Sequence, residues 1–209
     1  MTQTASIDRF TAKAEAVSAV VARVDNHQQA LEYAVDICQQ KQACQILASG
    51  CEQRLSEKAE ELCQLKEWTK LIAAPDLSQT HLENLRELCR PLSIALIKQG
   101  LHEHLGGIDM GICSALAGIA ETGTLVVDSR SEELRLATMI AETCLALLPA
   151  SSIVQDSAEL AGDLAGRFAH PPDYTAFITG ASRTADIERV LTLGVHGPLE
   201  LHILILMNE

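Results

Sequence analysis

Two stretches of this 209-residue chain gather side chains that can do chemistry. The first begins with the turn Thr179-Gly180-Ala181-Ser182-Arg183-Thr184, which crowds three hydroxyls and a guanidinium into six residues. It continues to Gly194-Val195-His196-Gly197-Pro198, where one imidazole stands between two glycines. Glycine allows the tight or positive-φ backbone that such turns use. A guanidinium with hydroxyls and backbone amides can cradle a small anion, and an imidazole exchanges protons near neutral pH. Gly180, Ser182, Arg183, Thr184, Asp186 and Gly197 are therefore candidate ligand-binding residues, and His196 is a candidate acid–base group.

The second stretch, Gly118 to Asp128, reads GIAETGTLVVD. Glu121 stands in apolar sequence just before the bend Thr122-Gly123-Thr124. A carboxylate in apolar surroundings must be neutralised, hydrogen-bonded or paired, and desolvation would raise its pKa. Glu121 reads equally as a catalytic carboxylate or as a structural acid bonding backbone amides, with Thr122, Gly123 and Thr124 completing the ligand-binding set. Gly106-Gly107 opens neither G-x-G-x-x-G nor G-x-x-x-x-G-K-[ST], which argues against nucleotide binding of those two kinds. Taken singly, the glycines need only build turns, Asp186 need only cap a helix, and Arg183 need only pair with Asp186 or Glu121. Turns require glycine and proline but not Ser, Arg, Thr, Asp and His beside them, so the gathering favours a site.

Apolar runs alternating with amphipathic segments predict the elements that position these residues. Strands are expected at Ala43–Ala48, Trp68–Ala74, Ser93–Lys98, Cys144–Leu148, Tyr174–Thr179 and Leu199–Met207. Helices are expected at Cys51–Leu65, Leu77–Leu88, Arg135–Thr143 and Ser157–Phe168, and a short one from Thr184, with Asp186 and Glu188 in its first turn. Such alternation predicts an α/β fold with a mainly parallel, covered sheet. Two further helices, Ser6–Arg23 and His27–Gln42, read as a hairpin, giving an N-terminal helical extension over 1–42 and an α/β domain over 43–209. The turn after Tyr174–Thr179 would then lie at the carboxyl end of a strand, where open α/β sheets bind ligands.

A formal net charge of −12, from 28 acids and 16 bases, repels phosphate backbones and anionic lipid, so no nucleic-acid partner is expected. No apolar run approaches the roughly 20 residues of a membrane helix, and the start MTQTASIDRF lacks the features of a signal peptide. A cytoplasmic protein is expected. The seven cysteines form no C-x-x-C pair, which fits reduced thiols better than a disulfide framework or a metal site; no metal and no cofactor are expected.

Gly118–Val127, Thr179–Glu188 and Gly194–Pro198 together resemble the lactate-utilisation (LUD) domain family. The resemblance implies a three-layer α/β/α domain similar to the ribose-phosphate isomerase and CoA-transferase class. It implies a non-redox accessory subunit of a complex that oxidises L-lactate to pyruvate with iron–sulfur partner proteins, binding a small carboxylate or other anion. A homo-oligomer is compatible with it. The fold analogy also raises an alternative, a CoA-transferase-like or isomerase-like enzyme using Glu121. The sequence departs from the family's usual pattern at Cys144, where a histidine is common, and at Ala181, where proline is common.

Overall fold

The computed structural model describes residues 2–41, 69–104, 107–169, 173–187, 190–193 and 197–209, with the side chains of 183–187 and 190–193 excepted. In chain order the strands are β1 (Ala19–Val24), β2 (Leu71–Ala73), β3 (Ala95–Ile97), β4 (Ile108–Ser114), β5 (Ala117–Ile119), β6 (Thr124–Asp128), β7 (Ala141–Pro149), β8 (Ile153–Val154), β9 (Thr175–Ile178), β10 (Arg183–Ile187), β11 (Val190–Leu193) and β12 (Glu200–Leu206). The α-helices among the described residues are α1 (Gln3–Ala16), α2 (His27–Gln40), α3 (Gln79–Cys89), α4 (Glu132–Ile140) and α5 (Ala161–Phe168). The expected strand Ala43–Ala48 and helix Cys51–Leu65 lie outside the described residues.

Six strands form one parallel sheet in the order β1-β12-β7-β4-β2-β3. Its central strands are apolar on both faces, as a covered parallel sheet requires. Along β12, Leu201, Ile203 and Ile205 face one core, against Ile7 and Phe10 of α1 and Leu125 and Val127 of β6. The alternate residues Leu204 and Leu206 face the other core, against Leu31 and Val35 of α2 and Leu82 and Leu85 of α3. Strand β7 splits the same way, with Cys144, Ala146 and Leu148 on the first face and Leu145 and Leu147 on the second. The α/β class and the parallel sheet thus match the sequence expectation.

Side-chain caps start four of the five α-helices among the described residues. Thr2 accepts from Ala5 N in α1, Asn26 from Gln29 N in α2, Ser78 from His81 N in α3 and Ser131 from Leu134 N in α4. The expected N-terminal helical hairpin is not formed. Helix α1 stops at Ala16, Ser18 takes a left-handed φ of 67°, and Ala19–Val24 becomes the edge strand β1, paired along its length with β12. The Ala- and Val-rich run fits helical and strand spacing alike, and pairing with β12 decides between them.

A second sheet, β8-β5-β6-β9, mixes parallel and antiparallel pairs. Strand β9, the expected Tyr174–Thr179 strand, pairs antiparallel with β6 in this sheet. The polar turn after it therefore leaves the small sheet, not the carboxyl edge of the parallel one. The helix expected from Thr184 is also replaced, because β10 and β11 pair as an antiparallel hairpin with Arg183 opposite Leu193. The hydroxyl and acids at 184–188 mimic a helix start, whereas the β-branched Ile187, Val190 and Thr192 suit the ladder formed.

Candidate functional site

The loop between β5 and β6 is Ala120–Gly123, closed by Gly123 N donating to Ile119 O at 2.9 Å. Gly123 has φ +68°, and a Cβ there would lie 2.3 Å from Ala14 N of α1. Both the turn and the close helix approach demand glycine. The loop continues the ladder to β8, since Ala120 N donates to Val154 O at 2.9 Å and Glu121 N to Gln155 O at 3.0 Å. Glu121 and Thr122 are exposed, so the apolar surroundings expected for Glu121 are not found. Thr124 is buried, and its Oγ1 lies 2.7 Å from Thr122 Oγ1 and 2.8 Å from Thr179 Oγ1. That chain of hydroxyls joins the two stretches singled out in the sequence.

The turns of the C-terminal stretch also meet. Gly180, at φ +74°, passes so close to α1's end that a Cβ would lie 2.2 Å from Val17 O. Ser182 N donates to Pro198 O at 2.9 Å, and a Cβ on Gly197 would lie 3.0 Å from Ser182 Cβ. The structure thus gathers Thr122, Gly123, Thr124 and Gly180 around one hydroxyl chain, and Ser182 and Gly197 around one backbone contact. The side chains of Arg183, Thr184 and Asp186, and the whole of His196, lie outside the described residues.

Beside the Ser182–Pro198 contact is a cavity of about 140 Å³ to which α4, β7, β9 and β12 contribute. Its walls are mostly carbon and sulfur, from Met139, Cys144, Ile178, Pro198 and Leu201. Arg135 supplies the charge. Its Nη1 donates to Ser129 O at 2.7 Å and Arg130 O at 2.9 Å, and its guanidinium lies 5.3 Å from the centre of the Tyr174 ring. Thr138 Oγ1 donates to Leu134 O at 3.0 Å, which leaves its oxygen able to accept. The two departures from the family pattern, Cys144 and Ala181, both line this cavity. Behind it, Cys144 Sγ lies 4.0 Å from Cys113 Sγ, and the Cys144 contact with burial pushes the Cys113 thiol well above its ordinary value. Cys113 is therefore a poor nucleophile. Cys38, Cys89, Cys113 and Cys144 are free and buried, and among the described residues no three metal-ligating side chains converge.

Reasoning from the sequence missed this cavity. Arg135 reads there only as the start of a helix, and its neighbours come from positions 129 to 201. The faint signal is an arginine in the first turns of a capped helix, facing an aromatic that follows Pro171-Pro172.

The other face of β7 and β12 carries a polar network. His202 is 4% exposed; its Nδ1 lies 3.0 Å from Tyr33 Oη and its Nε2 3.1 Å from Glu200 Oε2. Lys41 Nζ lies 2.6 Å from the same Glu200 oxygen and donates to Thr143 Oγ1 at 2.7 Å. Burial, followed by the Glu200 charge, pushes the Tyr33 phenol up. Burial is also the largest single influence on Glu200, but the hydrogen bonds and charges of Lys41 and His202 outweigh it and hold the carboxyl below its ordinary value. Further off, hydrogen bonds from Arg130 and then Arg167 hold the Asp128 carboxyl at about 2.

The LUD domain model matches residues 7–206, and the chain belongs to the LUD domain family. Lactate utilization protein C of Geobacillus thermodenitrificans is 35% identical over 104 residues, 48% of this chain and 43% of that protein. Lactate utilization protein C of Bacillus subtilis is 34% identical over 95 residues, 44% of this chain and 40% of that protein. These matches span less than half the length of the curated relatives. The crystal structure of a DUF162 family protein from Deinococcus radiodurans shares the fold, with a TM-score of 0.57 at 15% identity over 98% of both chains. Among the described residues no helix is long and apolar enough to cross a membrane.

Proposed function

We propose that this LUD domain chain serves lactate utilisation as a cytoplasmic, non-redox accessory subunit, binding a small carboxylate while iron–sulfur partner proteins carry the electrons. The observation that carries the reading is the kinship with proteins named Lactate utilization protein C at 34–35% identity. The gathering of the two polar stretches supports it, because the Thr122–Thr124–Thr179 hydroxyls and the Ser182–Pro198 contact tie both into one region. In this reading Ser182, Arg183 and Thr184 supply donors to the anion, Thr122, Thr124 and Asp186 complete the polar wall, and Gly123, Gly180 and Gly197 keep the backbone close. Glu121 and His196 exchange protons in the same reading.

Deletion of the coding sequence in its own host, with growth on L-lactate as sole carbon source, tests the role. The tagged chain is purified from the same cells to test the assembly. Growth is expected to fail, and iron–sulfur proteins to co-purify. Normal growth with nothing co-purifying contradicts the proposal.

A further inference from the structure

We propose that the cavity beside α4 is a binding site for a short-chain carboxylate of about three carbons, with Arg135 as its anion anchor. The proposal goes beyond the reading above, since it gives the acid a site other than the Ser182–Thr184 turn; it rests on that reading for the identity of the acid, but not for the chemistry of the site.

Size decides first. A cavity of about 150 Å³ lined by apolar side chains takes up benzene, a molecule of six heavy atoms. The cavity here, about 140 Å³, therefore suits an acid of roughly six heavy atoms, the size of lactate or pyruvate.

Chemistry decides next. The walls from Met139, Cys144, Ile178 and Leu201 offer no charge and favour a short apolar tail. Arg135 offers a full positive charge at one wall. Its Nη1 is fixed by the Ser129 and Arg130 carbonyls, and Tyr174 covers the guanidinium face. Among the described residues no hydrogen bond or ion pair engages its Nε or Nη2. A guanidinium held by its second-row contacts, with one edge open, is preorganised for a carboxylate and loses little freedom on binding. Thr138 Oγ1, already donating to Leu134 O, is left as an acceptor for a hydroxyl on the second carbon of the ligand. The pair thus reads a carboxylate and, more weakly, a neighbouring hydroxyl.

Titration calorimetry of the full chain with L-lactate, pyruvate, propionate and lactamide tests this. The wild type is expected to bind the three acids and not the amide. Arg135→Gln is expected to weaken acid binding at least tenfold. Because Arg135 also holds two carbonyls, Ala181→Leu serves as a second variant that adds bulk at another lining position, and it is expected to abolish binding while the circular dichroism stays that of the wild type. Arg135-dependent binding of propionate without lactate or pyruvate supports the site and contradicts the lactate reading. Acid binding that neither substitution changes places the anion elsewhere and overturns the site while leaving that reading intact. No binding of any acid by the wild type overturns the site, and growth on lactate then decides the reading separately.

Discussion

The amino ends of β7 and β12 carry opposite chemistry on their two faces. Thr143, Glu200 and His202 turn towards α2 and close a network with Tyr33 and Lys41, in which each polar group has a partner. One residue along each strand, Cys144 and Leu201 turn the other way and line an apolar cavity with a guanidinium edge left open. The two-residue period of a strand makes the contrast possible, since neighbours in sequence point to opposite faces. A buried polar group costs least when it is satisfied and is most available to a ligand when it is not. The first face is therefore built to hold the fold, and the second to hold something else.

Removing His202 should show this division most strongly. His202→Leu leaves the Tyr33 hydroxyl and one side of Glu200 unpartnered at a site where His202 is 4% exposed. A loss of about 2 kcal/mol of folding stability is expected in urea unfolding, with carboxylate affinity unchanged. Equal losses of stability and affinity would join the two faces into one site. Arg135→Gln should do the reverse, costing about 1 kcal/mol for the two carbonyl contacts but removing most of the binding. Tyr33→Phe tests one link of the network, and about 1 kcal/mol is expected from the lost hydrogen bond.

Acid should give the smallest effect. The Glu200 carboxyl lies below its ordinary value in the fold, so its contribution is present above that value, 4.5, and is lost as pH falls through the folded one. Its side chain is 45% exposed, which screens the effect. Glu200→Gln is expected to flatten the acid side of a stability–pH curve slightly. An unchanged slope would remove Glu200 from the network's energetics.

The sequence made most of the parallel sheet and the capped helices legible, because Ser78 and Ser131 precede periodic segments and β7 and β12 carry the apolar runs Cys144–Leu148 and Ile203–Leu206. It misread β1 and the β10–β11 hairpin, where local signals fit two structures and a distant partner chooses between them. Gly123, Gly180 and Gly197 were legible as turn residues, and the structure adds why two of them are required, the close passage of the α1 segment. Glu121 was legible as a carboxylate at a bend but not as an exposed one, since its burial depends on what α1 and β8 leave uncovered. The Arg135 cavity was not legible, because α4 and β7 share its walls with β9 and β12, which come from much later in the chain.

A crystal structure of the chain soaked with pyruvate tests the division of the two faces most directly. The account predicts a pyruvate carboxylate within hydrogen-bond distance of Arg135, with the methyl group towards Cys144 and Leu201, and the Tyr33–His202–Glu200–Lys41 network unmoved. The Arg135 cavity left empty, or pyruvate bound on the Lys41 side of the sheet, would contradict it.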